Sequence, residues 1–160
     1  MTWFDRASLR TQWASPDDIT RELSWLNIGP STPAEQEDFL VVLGESTLSY
    51  SASLPGEPDT QYSVFSAEVS AGKSGKQLSL KDNAGACIAN NSDFSPKWIE
   101  GAIFGEDDAP TLDSSSTLEV TCEFNNETQD VALWGPESEA TVWGRRERCS
   151  ALLFYYEQLP

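Results

Sequence analysis

Thr117-Leu-Glu-Val-Thr-Cys-Glu-Phe124 decides the fold class. Leu118, Val120, Cys122 and Phe124 alternate with Thr and Glu, so an extended chain here has one apolar and one polar side. That period of two belongs to a strand with one buried face, because successive strand side chains point to opposite sides.

The same period recurs on both sides of this stretch. Leu48, Tyr50, Ala52 and Leu54 alternate with serines, and Pro55-Gly-Glu-Pro-Asp59 then breaks the chain into a turn. Tyr62–Val69 reads as a strand, and Ala71-Gly-Lys-Ser-Gly75 reads as a hairpin tip leading into Gln77–Leu80. Residues 82–97 look irregular, Trp98–Phe104 reads as a strand, and Gly105–Ser116 as an acidic, serine-rich loop. Beyond Phe124, Val131–Trp134, Ala140–Trp143 and Ser150–Tyr156 read as strands. The repeated Leu133-Trp-Gly and Val142-Trp-Gly suggest two arms of one hairpin. About seven to nine short strands with frequent turn signals predict an antiparallel sandwich or barrel, a mainly β protein.

Residues 1–44 read differently. Ser15-Pro-Asp-Asp18 has the cap, the proline and the acids of a helix start, with Ile19, Leu23 and Leu26 at helical spacing and Gly29 as a stop. Thr32-Pro-Ala-Glu35 is a capping box, opening a short helix before Phe39–Leu43, which suits a helix end or a buried strand equally. The chain is therefore expected to be one domain over 1–160, a helical segment (1–44) packing on a β-rich body (45–160).

Charge narrows the function. The chain carries 26 acids against 10 bases, a net charge of −16. From Trp98 to Gly144 there is no Lys or Arg, yet there are eleven carboxylates. Such a field repels polyanions and attracts basic surfaces, which argues against direct nucleic-acid binding. There is no histidine, which removes Ser-His-Asp and Cys-His catalysis and most imidazole-bound metal sites. Ala67-Glu-Val-Ser-Ala-Gly-Lys-Ser74 is a loose phosphate-loop pattern, but a strand-like segment follows it where a phosphate loop needs a helix. No catalytic residue, metal or cofactor is assigned. Cys87, Cys122 and Cys149 are widely spaced and odd in number, and they are expected to be buried thiols of a reduced protein. Met1-Thr-Trp-Phe-Asp-Arg6 lacks a secretory pattern, and no apolar run approaches a membrane span, so a soluble cytoplasmic protein is expected.

Leu80-Lys-Asp-Asn-Ala-Gly-Ala-Cys-Ile-Ala-Asn-Asn91, with Trp98 beyond, resembles part of a cyanovirin-like lectin repeat, although no second copy is visible. The resemblance implies sugar binding.

The leading expectation is a non-enzymatic acidic protein that engages a basic partner, as an inhibitor, an immunity-type protein or a mimic of nucleic-acid charge. The alternative is a β-barrel or sandwich binding a small ligand or glycan, with a shape-templating barrel enzyme third. Glu106, Asp107, Asp108, Asp113, Glu137 and Glu139 are the candidate partner-binding acids, since they fall in expected loops. Arg145, Arg146 and Arg148, with Trp143, are candidates for bracing or anchoring that surface.

Overall fold

The computed structural model describes residues 22–94, 101–105, 107–127, 131–134 and 145–158. The expected helix start at Ser15, the Ala140–Trp143 strand and the start of the Trp98 strand lie outside them. In chain order the elements are β1 (Ser24–Ile28), α1 (Pro33–Asp38), β2 (Leu40–Val41), β3 (Gly44–Ser53), β4 (Gln61–Ala71), β5 (Gly75–Asp82), β6 (Cys87–Asn91), β7 (Gly101–Ile103), β8 (Thr111–Asp113), β9 (Thr117–Asn126), β10 (Ala132–Trp134), β11 (Arg145–Glu147) and β12 (Cys149–Glu157). The mainly β, antiparallel expectation holds, with more strands than the sequence suggested.

Two sheets face each other. One has the order β1-β12-β4-β7, with β8 also on β4; the other runs β3-β9-β5-β6. A small third sheet, β11-β10-β2, includes the parallel pair β10–β11. The alternation read from Thr117–Phe124 sets the core. Leu118, Val120, Cys122 and Phe124 are all buried, against Leu78 and Leu80 of β5 on one side. Ala67, Val69, Ala151 and Leu153 close the core from the facing sheet. Burying each Leu or Val contributes on the order of 1.5–3 kcal/mol.

Several local expectations change. Ser24–Ile28 is a strand rather than the end of a helix. Its register puts Leu26 opposite Leu153 and Ile28 opposite Ala151, on the core side. Pairing with β12 satisfies the backbone and buries Ile28, and that tertiary gain outweighs the helical spacing of Leu23 and Leu26. The Gly72–Ser74 turn is not a hairpin tip. It carries the chain from β4 in one sheet to β5 in the other. The stretch expected to be irregular contains β6, paired to β5, and the acidic loop contains β8, paired to β4. Both segments have polar sequences because they sit at sheet margins, where period-two patterning is weakest.

The three cysteines are not all thiols. Cys122 of β9 and Cys149 of β12 form a disulfide that joins the two sheets, and Cys87 is free and exposed. The cysteines that form the bond occupy adjacent buried positions in facing strands, a proximity created by topology rather than by sequence spacing.

The capping box at Thr32 forms as read. The Glu35 carboxylate accepts hydrogen bonds from the Thr32 and Ser31 amides, and Thr32 Oγ1 accepts from the Glu35 amide. These bonds, with the Thr32 backbone contact largest, hold the Glu35 carboxyl below the ordinary glutamate value. The sign follows: the cap is complete above the ordinary value, and its contribution is lost as pH falls through the lowered one. In a carboxyl NMR titration, Glu35 is expected to titrate below a solvent-exposed glutamate, and Thr32→Ala should move its midpoint upward. An unchanged midpoint in the variant would mean the box does not form in solution.

Candidate interaction face

The outward side of the β1-β12-β4-β7 sheet carries large apolar side chains among polar ones. Two rows cross it: Asn27, Leu152, Glu68 and Gly101, then Trp25, Phe154, Ser66 and Ile103. The alternation that sends Ala151, Leu153 and Tyr155 inward sends Leu152, Phe154 and Tyr156 out, where they are half-buried. A register shift between Phe154 and Tyr155 leaves Phe65 as an extra residue on β4, and its ring is exposed at 43%. Such a bulge re-aims a side chain out of the ladder. Trp25 is 66% exposed and Ile103 77%. Isolated exposed apolar residues are ordinary, and several on one sheet face make that face a candidate for interaction.

Among the described residues the charge on this face is negative. Glu68 stands within it, whereas Glu157 at the end of β12 falls by the same alternation on the other side of the sheet, and Glu22 lies just before β1. The described basic side chains lie elsewhere. Lys76 pairs with Glu45 at 3.2 Å, Lys81 sits opposite Glu119, Arg148 Nε donates to the Ala71 carbonyl at 3.4 Å, and Lys73 is in the β4–β5 turn.

The acids and bases singled out in the sequence do not gather at one place. Asp107 and Asp108 are exposed in the β7–β8 connection, beside that sheet. Asp113 is engaged by its own turn. It accepts from the Ser115 hydroxyl and amide and from the Ser116 hydroxyl, and the Ser115 hydroxyl bond is the main reason its carboxyl is held below the usual aspartate value. Glu119 and Glu123, from the same lysine-free block, project from the other sheet on β9. Arg145 and Arg146 lie on β11 opposite Ala132 and Leu133. Glu106, Glu137, Glu139 and Trp143 lie outside the described residues. Among the described residues no three metal-ligating side chains come together.

The phosphate-loop-like stretch does hold an acceptor group, but an internal one. The Ser74 amide donates at 2.8 Å to Oε1 of Glu147, whose side chain is buried. A Cβ at position 72 would lie 2.0 Å from the other oxygen of that carboxylate, so glycine is what lets Glu147 approach the turn. Gly-Lys-Ser here docks β11 onto the sandwich, and β5 takes the place of a phosphate-binding helix.

The sequence reading missed Trp25, Phe154, Leu152, Ile103 and Phe65. The signal was present in Ala151–Tyr156, an uninterrupted apolar run too rich for a strand with only one buried face.

No family model matches the sequence, and no curated protein is significantly similar to it. Among solved structures, the chain is similar to the virus-like particle of the giant freshwater prawn Macrobrachium rosenbergii extra small virus. The identity is 12% and the TM-score 0.37, over 100% of this chain and 97% of that one. Likeness at that level bears on no functional question. No helix among the described residues is long and apolar enough to cross a membrane.

Proposed function

We propose that this protein is a non-enzymatic, acidic binding protein whose β1-β12-β4-β7 face receives a basic protein partner. The observation that carries the reading is the pairing of exposed Trp25, Phe65 and Ile103 with Glu68 on the same face and Asp107 and Asp108 beside it, with no described cation there. Aromatic anchors supply the energy of such contacts, and the field of a −16 chain supplies steering and choice of partner. This departs from the loop-acid reading by making the acids a surround and the aromatics the anchor. The Cys122–Cys149 bond supports work in an oxidising setting rather than in the reducing cytoplasm.

The reading is tested by titrating the full chain with poly-L-lysine and following tryptophan emission. Binding should weaken steeply between about 0.01 and 1 M salt. Trp25→Ala should weaken it by roughly tenfold or more, the effect of losing an interface anchor. Glu119→Gln and Glu123→Gln, on the opposite sheet, should each change it less than about threefold. Equal losses from both sheets would reduce the effect to net charge and defeat the assignment of the face. Saturable quenching by a glycan panel, with indifference to poly-L-lysine, would favour the carbohydrate alternative.

A further inference from the structure

We infer that the basic partner binds by adding an extended segment along the edge of β1 that no described strand occupies, with its alternate side chains lying beside Trp25. This rests on the basic-partner reading above and specifies its geometry. Among the described residues β1 has one strand neighbour, β12. In an antiparallel ladder an edge strand turns every second set of N–H and C=O groups away from its neighbour, toward whatever lies alongside.

Proteins guard such edges with lysines, prolines, bulges or inward charges. Ser24-Trp-Leu-Asn-Ile28 contains no charged residue and no proline, and its register with β12 runs unbroken over all five residues. The edge is short but bears none of these guards. A strand added there would stand about 4.8 Å from β1. Its outward side chains would extend the Trp25–Phe154 row by one position. Main-chain bonds would give affinity, and the aromatic row would select apolar residues at alternate positions.

Charge selects the occupant. The β1–β12 register, continued two residues beyond Ser24, would bring Glu22 across from Glu157. Like charges directly opposite repel, and a Lys or Arg on the added strand would relieve them. A second copy of this chain would bring another −16 to the same edge and is disfavoured by self-repulsion. The fitting ligand is an extended protein segment alternating apolar with basic residues.

The test uses the full-length chain and two synthetic probes: a short peptide alternating lysine and valine, and the same peptide N-methylated at every residue. Both carry the same charge and side chains, but only the first donates main-chain hydrogen bonds. Tryptophan emission gives affinity, and amide hydrogen exchange over Ser24–Ile28 gives location. The expected result is binding of the unmodified peptide with slowed exchange in Ser24–Ile28, and affinity about tenfold or more lower for the methylated one. Equal affinity for both probes would overturn strand addition while leaving the basic-partner reading in place. Failure of both to bind at low salt would overturn both. Slowing confined to another edge, such as β3, would overturn the assignment to β1. So would full protection of Ser24–Ile28 in the free chain: protection lost on dilution would identify a second copy as occupant, and protection independent of dilution would identify another segment of the same chain.

Discussion

Converting Cys122 and Cys149 to alanine together, or reducing the bond between them, is expected to destabilise the fold by about 3–4 kcal/mol. The bond closes a loop with a sequence separation of 27 and joins strands of opposite sheets. Cross-linking a loop of that length removes disorder from the unfolded chain, which is the source of the estimate. For a chain of this size the change corresponds to roughly 10 °C in Tm. Thermal unfolding with and without reductant measures it. Thiol titration supplies an independent check: the native oxidised chain should offer one thiol, Cys87, and the reduced, unfolded chain three. A Tm indifferent to reductant, or three thiols in the untreated protein, would restore the reading of separate buried thiols.

That bond shows where sequence reasoning stops. The alternation of Leu118, Val120, Cys122 and Phe124 was legible because each residue's burial follows from its own place in the period. The capping box at Thr32 was legible because all its groups lie within four residues. The partner of Cys122 was not legible, since it depends on which sheet β12 joins. Ser24–Ile28 failed for a related reason. Leu23 and Leu26 satisfy a helical period, and only pairing with β12, more than a hundred residues later, decides against it. The face that carries Trp25 was hidden by the same gap. Trp25 and Phe154 are distant in sequence and become neighbours only through the β1–β12 register. The acidic block was visible as composition, yet β9 and the β7–β8 connection carry its members to different sheets.

A comparison of two aromatic truncations bears on both fold and function. Phe39 is fully buried just beyond α1, stacked on Tyr50 at 6.5 Å and edge-on to Phe124 at 6.2 Å. It fastens the α1–β2 segment to β3 and β9, so Phe39→Ala opens a cavity where three elements meet. The expected loss is about 3–5 kcal/mol in chemical denaturation, large enough to leave the chain marginal. Phe39→Leu keeps most of the volume and should cost under about 2 kcal/mol. Trp25→Ala removes a larger side chain but one open to solvent, so stability should change by no more than about 0.5 kcal/mol. The two substitutions therefore separate an aromatic that holds the sandwich together from one left available to a partner. A Trp25→Ala cost approaching that of Phe39→Ala would mean that the indole is covered in the free protein, and the β1-β12-β4-β7 face would then belong to the core rather than to a binding surface.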